Sequence, residues 1–310
     1  MRYRTLGRTG LEVSVLGFGA SSLGGVFRPI LEADGHRAVH TALEAGVNLI
    51  DVAPYYGQTK AESVLGRALR GVARDRYVLA TKVGRYGRDA GDFDFTPQRV
   101  TRSVDESLAR LGVEHIDLIQ CHDIEFGDLD MIVHDTLPAL RQLQRAGKVR
   151  FVGITGLPLA ALRYVAERAE VDTVLSYCHH ELNDTALVDE LPFYAQRGIG
   201  VLSAAPLGMG LLSTRPVPDW HPAPPVVVQA CSAAAAHCTQ RGVSIETLAL
   251  RFAVEEPGIA STIVGTADPD EMAANLQAID APLDRELLAE VRAILAPVHN
   301  VTWPSGRFAA

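Results

Sequence analysis

The chain has 310 residues, of which 47% are hydrophobic, 21% charged and 6% aromatic. Its 29 basic and 37 acidic side chains give a formal charge of −8, which argues against a nucleic-acid partner or an anionic membrane surface. The chain has four cysteines without a C-x-x-C pair, no secretory signal and no apolar run of 18 residues. These features favour a cytoplasmic protein with reduced thiols and no membrane partner.

The first 15 residues predict a short β-hairpin. Two apolar runs, at 3–6 and 11–15, flank the turn-forming sequence GRTG at 7–10. After the hairpin, short apolar runs alternate with helical patterns along the rest of the chain.

Eight of these apolar runs predict buried parallel strands, at 15–20, 47–52, 77–82, 116–121, 151–155, 173–178, 199–204 and 260–265. Helices are predicted between them at 34–44, 60–69, 97–112, 130–145, 158–168, 184–196, 226–240 and 269–279, with two more at 244–254 and 283–295. Eight strand–helix units predict an α/β fold. We expect a (β/α)₈ TIM barrel with an N-terminal β-hairpin and extra C-terminal helices, forming a single domain over residues 1–310.

The alternative architecture is a doubly wound open sheet. That fold carries the glycine pattern G-x-G-x-x-G after its first strand. Here Gly17 and Gly19 are followed by Ser22 where the third glycine would stand, and Asp51 leads into a Pro-Tyr-Tyr-Gly turn instead of ending the second strand as a ribose-binding acid. The pattern therefore favours the barrel.

Polar side chains follow three neighbouring strands of the predicted barrel, where barrel enzymes place their active sites. Asp51 and Tyr56 follow the second strand, Lys82 ends the third, and His122 follows the fourth. A neighbouring ammonium lowers the pKa of a phenol, a carboxylate holds that ammonium, and an imidazole can orient a substrate oxygen. Taken singly, each residue also fits a turn, packing or surface role. Together they predict a site that moves a proton while a hydride is transferred.

Two Cys-His sequences, Cys121-His122 and Cys178-His179-His180, raise the alternative of a metal site. Metal-dependent barrel hydrolases carry a His-x-His pair on the first strand, and this chain has no such ligand there. The prediction is that no metal is bound.

The motifs resemble those of the aldo-keto reductase family over essentially the whole chain. They are R-x-L-G-x-T-G-L-x-V-S-x-L-G-x-G at 4–19, N-x-x-D-x-A-x-x-Y-G at 48–57, A-T-K at 80–82 and the strand ending in His122. The resemblance implies that Tyr56 is the general acid/base, that Lys82 lowers its pKa and that Asp51 holds Lys82. It also implies that His122 orients the carbonyl or alcohol.

Loop sequences narrow the resemblance to members of the family that oxidise an aldose such as L-galactose or L-fucose at C1 to the lactone with NAD⁺. They include HDIEFGDLD at 122–130, GITGLPL at 153–159 and TWPSG at 302–306. The expected substrate is therefore a small sugar. The expected substrate contacts, on loops and the C-terminal segment, are Tyr55, Tyr56, His122, Phe126, His179, Trp220 and Trp303.

The resemblance also implies a nicotinamide cofactor. The expected contacts are Gly19, Ala20, Ser21, Asp51, Thr155, Ser176, Ala205, Pro206, Leu207, Gly208, Met209, Gly210, Leu211, Gly265, Thr266, Glu271 and Asn275. Residues 205–211 are expected to cover the pyrophosphate with backbone amides.

This chain departs from the commoner reductase pattern at several cofactor positions. Thr155-Gly156 replaces a Ser-Asn pair, Ser176 replaces a Gln, and Ala204 replaces a stacking aromatic. Gly265 and Glu271 stand where a Lys and an Arg hold the 2′-phosphate of NADP. A carboxylate repels that phosphate, so NAD is predicted over NADP. Glu271 also fits a simple role in the first turn of a helix.

Two other functions stay open on sequence grounds. One is a general aldehyde, ketone or pyridoxal oxidoreductase with the same four catalytic residues. The other is a regulatory subunit that binds the cofactor without turnover. The sequence leaves the oligomeric state, the particular aldose and the physiological direction undetermined.

Overall fold

The computed structural model describes residues 1–26 and 28–308. These residues form a closed barrel of eight parallel strands, and a two-stranded hairpin packs below it. The hairpin strands are β1 Tyr3–Thr5 and β2 Glu12–Ser14. The barrel strands are β3 Leu16–Gly19, β4 Leu49–Asp51, β5 Val78–Val83, β6 Ile116–Cys121, β7 Val149–Gly156, β8 Thr173–Tyr177, β9 Gly200–Ala204 and β10 Ser261–Gly265. Each pairs with the next along the chain, and β10 closes onto β3. The predicted TIM barrel and its hairpin are confirmed.

Helices follow the strands around the outside of the barrel. They are α1 Glu32–Glu44, α2 Lys60–Ala68, α3 Pro97–Leu111, α4 Leu129–Met131, α5 Leu137–Arg145, α6 Leu159–Arg168, α7 Ala186–Gln196, α8 Pro225–Gln240, α9 Ile245–Ala253, α10 Pro269–Asp280 and α11 Arg285–Leu295. Local signals fix their ends. For α3, the Thr96 hydroxyl accepts from the Arg99 amide at the start, and Gly112 adopts the left-handed conformation at the end.

The helix predicted at 130–145 is interrupted by a π-helical turn, Ile132–Thr136, between α4 and α5. The Thr136 hydroxyl donates to the Phe95 carbonyl at 2.6 Å. The next turn contains Pro138, whose ring would clash with the carbonyl of residue 134 in a regular α-helix, and the wider turn avoids that clash.

The lower half of the barrel is filled by apolar side chains and closed by the hairpin. Leu49, Leu118 and Leu202 belong to one buried cluster, and Leu6 from the hairpin turn seals it. Gly7 has a φ of +51° and leaves no room for a Cβ against the backbone of Gly200. Because this end is closed, a ligand can enter only at the carboxyl ends of the strands.

Across the described residues, no helix combines the length and apolar character needed to cross a membrane.

Candidate active site

The four residues predicted to be catalytic lie together at the carboxyl ends of β4, β5 and β6. The Lys82 ammonium forms an ion pair with Asp51 and also donates to the Val52 carbonyl at 3.0 Å and to the Tyr56 hydroxyl at 3.4 Å. The rings of Tyr56 and His122 meet edge to face with centroids 5.6 Å apart. The sequence spacing predicted this grouping because neighbouring parallel strands end at the same edge.

The turn after β4 holds Tyr56 in place by a close backbone approach. A Cβ on Gly24 would lie 2.8 Å from the Tyr56 carbonyl oxygen, so the loop after β3 packs directly on this turn. A larger residue at position 24 would require one of these two segments to shift.

Lys82 is 1% exposed, yet it remains charged. Burial lowers the pKa of its ammonium, but attraction to Asp51 and Tyr56 outweighs burial, and the pKa is raised above its ordinary value. Asp51 thus keeps a positive charge beside the Tyr56 phenol.

The net pKa shift of Tyr56 differs from the sequence expectation. Burial raises the pKa of this phenol; Lys82 lowers it, as expected, but Asp51 and Asp123 add to the rise and the net shift is upward. The free enzyme therefore holds Tyr56 as a neutral phenol.

His122 is neutral. Burial and the nearby charges of Lys82 and Arg85 lower the pKa of its imidazole well below the ordinary value. A neutral imidazole can donate one hydrogen bond to a substrate oxygen without competing with Tyr56 for the proton.

Gln120 is a member of this site that sequence analysis missed. Its side-chain amide is completely buried and donates to the second carboxylate oxygen of Asp51 at 3.0 Å. Gln120 lies two residues before His122 on β6, so the two-residue period of a strand is the signal that could have found it.

Arg85 and Asp123 form a second charged pair beside His122, also missed from sequence. The Arg85 guanidinium pairs with the Asp123 carboxylate and lies 3.7 Å from the centre of the Tyr55 ring. Asp123 Oδ2 is 3.7 Å from His122 Nε2.

Residues predicted to contact a cofactor occupy the remaining part of the barrel mouth. Gly19, Ala20 and Ser21 end or follow β3, Thr155 lies at the end of β7, and Gly265 and Thr266 end or follow β10. A Cβ on Gly265 would lie 3.1 Å from the Ser21 hydroxyl, so these two segments are adjacent.

Two observations fit this part of the mouth to a dinucleotide. The buried Ser176 hydroxyl on β8 has no hydrogen-bond partner among residues 1–26 and 28–308. The predicted covering loop, which also contains Pro206, Leu207 and Leu211, adopts positive φ at Ala205, Gly208, Met209 and Gly210. The amides of Gly208, Gly210 and Leu211 donate to carbonyls within the loop, so pyrophosphate binding would have to use the other amides of this segment.

Glu271 lies in the first turn of α10, one turn before Asn275, and is bound by two arginines that sequence analysis missed. The Glu271 carboxylate accepts from Arg28 at 3.0 Å and from Arg215, and the Thr266 hydroxyl donates to it at 2.7 Å. Burial opposes ionisation, but these hydrogen bonds and charges hold the pKa of Glu271 below its ordinary value. The carboxylate is therefore charged and paired with two arginines, of which Arg28 also lies 3.7 Å from Asp268.

The seven predicted substrate contacts separate into two groups. Tyr55, Tyr56 and His122 are mutually in ring contact, and Phe126 stacks on Phe93 at 4.6 Å near Arg85.

The other three belong to a different aromatic and histidine cluster. Trp220 stacks on His221 with ring centres 5.8 Å apart, and His221 contacts Trp303 edge to face. His179 pairs with Asp184 at 3.1 Å and, with Trp303, lines a cavity of about 310 Å³ against the segment 302–308. Their role in substrate binding stays a prediction.

In the described part of the chain, no three His, Cys, Asp or Glu side chains are grouped as metal ligands. His180 stacks on Phe252, and Cys121 and Cys178 are buried free thiols.

The sequence profile of the Aldo/keto reductase family matches residues 15–296. This chain belongs to the aldo/keto reductase family. It is an oxidoreductase, and membership implies a nicotinamide cofactor, which the residues above fit.

Relatives with full-length similarity support this assignment. The chain is 48% identical over 312 residues to L-galactose dehydrogenase from Arabidopsis thaliana, covering 98% of this chain and 97% of the relative. It is 30% identical to D-threo-aldose 1-dehydrogenase from a Pseudomonas species, covering 93% and 97%. An aldo-keto reductase structure from Bacillus halodurans in its holo form superposes with a TM-score of 0.81 at 27% identity, covering 99% and 100%.

Proposed function

We propose that this aldo-keto reductase oxidises an aldose at C1 to its lactone, with NAD⁺ as the hydride acceptor and Tyr56 as the general acid/base. The observation that carries the proposal is the contact set of Lys82 with Asp51 and Tyr56, with His122 beside the phenol. The substrate class is supported by 48% identity to a relative whose name is L-galactose dehydrogenase.

In the proposed mechanism the anomeric hydroxyl lies between Tyr56 and His122. Neutral His122 donates a hydrogen bond to the substrate oxygen and orients it. Tyr56, once ionised, takes the hydroxyl proton as the carbonyl of the lactone forms. A nicotinamide cofactor, held by the residues predicted to contact it, would supply the acceptor for the hydride that leaves C1.

Lys82 and Asp51 act on Tyr56 rather than on the sugar. The Lys82 ammonium stabilises the Tyr56 phenolate, and Asp51 keeps Lys82 protonated. Gln120 holds the second oxygen of Asp51, so the carboxylate stays directed at Lys82. Because Lys82 and Asp51 are buried, solvent screens their effect on the phenol only weakly.

The proposed preference for NAD over NADP depends on Glu271. A ribose 2′-hydroxyl can donate to this carboxylate while its ion pairs with Arg28 and Arg215 remain intact. A 2′-phosphate would have to separate those arginines from Glu271 before it could pair with them. NAD therefore binds at the lower electrostatic cost.

A substrate panel tests the proposal. L-galactose, L-fucose, D-arabinose, L-glucose and pyridoxal are each assayed with NAD⁺ and NADP⁺, and small aldehydes with NADH and NADPH. We expect the highest kcat/KM with an aldose and NAD⁺, and a lactone as the product. Turnover confined to simple aldehydes or pyridoxal would contradict the proposal, as would tight cofactor binding without turnover.

Tyr56→Phe tests the assigned role. We expect kcat to fall roughly 10²- to 10⁴-fold, because a positioned acid/base is lost, with little change in NAD⁺ affinity measured by fluorescence titration. Since burial raises the pKa of Tyr56, wild-type kcat/KM should rise with pH in the alkaline range, and the variant should lose this dependence. Tyr164→Phe is the matched control, because that hydroxyl binds Asp130 on the outer surface. Near-normal turnover in Tyr56→Phe would exclude the role.

A further inference from the structure

The residue after His122 has an unusual backbone conformation. Asp123 adopts φ 54° and ψ 61°, the left-handed region that side chains other than glycine rarely occupy. Its amide donates to the Thr155 hydroxyl at 3.2 Å, which holds the conformation. The Asp123 carboxylate consequently lies beside the imidazole, with Oδ2 3.7 Å from His122 Nε2.

Arg85 is fixed against Asp123 by an aromatic surface. It lies three residues after Lys82, and its guanidinium contacts the Tyr55 ring at 3.7 Å and the Phe93 ring at 5.2 Å. The ion pair with Asp123 joins the loop after β5 to the end of β6. Arg85 is therefore preorganised, with part of its side chain accessible at the barrel mouth.

The pair has hydrogen-bonding capacity that the protein leaves unused. Among residues 1–26 and 28–308, only Oδ2 of Asp123 accepts a side-chain hydrogen bond, and Arg85 uses Nη1 for Asp123 and Nε for the Gly87 carbonyl at 3.5 Å. Oδ1 and Nη2 remain available to a ligand. The two charges cancel, so the pair suits a neutral hydroxylated molecule rather than an ionic one.

Because Asp123 and Arg85 lie next to His122, their location determines which sugar hydroxyl Oδ1 and Nη2 can contact. In the proposed reaction the oxygen on C1 is held by His122 and Tyr56. The ring oxygen on C1 has no proton to donate, and the nearest further hydroxyl of the sugar is the one on C2, bonded to the adjacent carbon. On the His122 side of the site, the groups beside it are the carboxylate of Asp123 and the guanidinium of Arg85.

We propose that Arg85 and Asp123 bind the 2-hydroxyl of the aldose and thereby select 2-hydroxylated substrates. Asp123 accepts a hydrogen bond from this hydroxyl and Arg85 donates one to it. A substrate without the hydroxyl forms neither of these charge-assisted hydrogen bonds, and the loss lowers its kcat/KM. The inference rests on the proposed function and specifies its substrate class.

The experiment compares the best aldose with its 2-deoxy counterpart, which keeps the same reacting carbon. In wild type we expect kcat/KM for the parent sugar to exceed that for the 2-deoxy sugar roughly 10- to 100-fold, the usual range for hydrogen bonds to charged groups. In Asp123→Asn and Arg85→Gln this ratio should fall toward one, mainly through a raised KM for the parent sugar. Arg85→Lys keeps the charge and should restore part of the ratio.

Arg99→Gln is the matched control. Arg99 also lies on a tyrosine, 3.6 Å from the Tyr86 ring, and pairs with Glu106 at 3.2 Å, but it is on α3 away from His122. The control variant should keep the wild-type ratio, and circular dichroism melting curves check that every variant folds.

The possible outcomes are distinguishable. If wild type oxidises both sugars equally well, or if Asp123→Asn or Arg85→Gln keeps the wild-type ratio, the inference is overturned while the proposed function stands. If wild type oxidises no aldose, the proposed function fails and the inference fails with it. If the ratio falls in Arg85→Gln and not in Arg99→Gln, the inference is supported.

Discussion

The two sides of the barrel mouth are built differently. On the β4–β6 side the charged groups pair with one another: Asp51 is held by Lys82 and Gln120, and Lys82 also binds Val52. Among the described residues, Gln120 Oε1 and His122 Nδ1 are buried there without a partner. At the boundary with the β7–β10 side, buried polar atoms lack protein partners in the described chain, including the Ser176 hydroxyl and one carboxylate oxygen of Glu125. The charges of the first side are therefore paired before any ligand arrives, whereas the boundary with the second side has hydroxyl and carboxylate oxygens whose hydrogen bonds a ligand can complete.

The largest expected effect is that of the Glu125 carboxyl on the stability of the folded protein. Burial and Asp123 raise the pKa of this carboxyl to about 7, although the Leu157 amide and the Ser305 hydroxyl donate to it. Its free oxygen faces Gly156, where a Cβ would lie 2.6 Å away. The folded state then binds the proton more tightly than the unfolded chain does. Stability is therefore lost as pH rises from about 4.5 to about 7, by up to about 3 kcal/mol.

Glu125→Gln should remove this loss, because an amide does not ionise. We expect the variant to exceed wild type in free energy of unfolding by about 2–3 kcal/mol at pH 8, and by much less at pH 5. Urea unfolding at the two pH values measures the difference, with Glu114→Gln as the exposed control. Equal pH dependence in both proteins would show that the Glu125 carboxylate is not strained in the free enzyme.

A smaller effect, on the choice between NAD⁺ and NADP⁺, is expected at Glu271. Glu271→Gln removes a carboxylate paired with both Arg28 and Arg215, so Arg215 becomes available to a 2′-phosphate while Arg28 keeps Asp268 at 3.7 Å. The ratio of kcat/KM with NADP⁺ to that with NAD⁺ should rise roughly 10-fold, about the contribution of one charge-assisted hydrogen bond.

Asp270→Asn is the control for Glu271, since it removes a charge from the same helical turn without an observed contact to either arginine. An equal change in both variants would mean that general charge, and not the arginine pair, sets cofactor choice.

The smallest predicted effect compares two hydroxyls on the same rim. Ser176→Ala should raise the KM for the cofactor several-fold while changing the free energy of unfolding by less than about 0.5 kcal/mol, because its hydroxyl has no protein partner. Thr155→Val should destabilise the free protein by about 1–3 kcal/mol, because the buried Asp123 amide loses its acceptor. If both cost the same stability, the distinction between a hydroxyl with a protein partner and one without such a partner is wrong.

Regular features of this fold could be predicted from the sequence because they depend on local periodicity. The eight strands and the grouping of Asp51, Lys82 and His122 follow from apolar runs whose ends share one edge. The net pKa shift of Tyr56 could not be predicted, because it depends on how deeply the ring is buried.

Contacts between separate loops were equally inaccessible from sequence. Arg85 meets Asp123 only because Asp123 adopts a left-handed conformation that tertiary contacts enforce. Arg28 and Arg215 are 187 positions apart and meet at Glu271. The π-helical turn before Pro138 also escaped prediction, since Pro138 alone fits an ordinary helix start.

The hairpin below the barrel has a consequence for how the chain folds. Arg4 donates to the carbonyls of Val254, Glu256 and Ile259, about 250 positions later, and β3 pairs with the last strand. During synthesis the Arg4 guanidinium and one edge of β3 lack these partners until more than 260 residues have left the ribosome. Sealing of the barrel base is therefore a late, long-range event, and we expect it to limit the rate at which the nascent chain reaches its compact state.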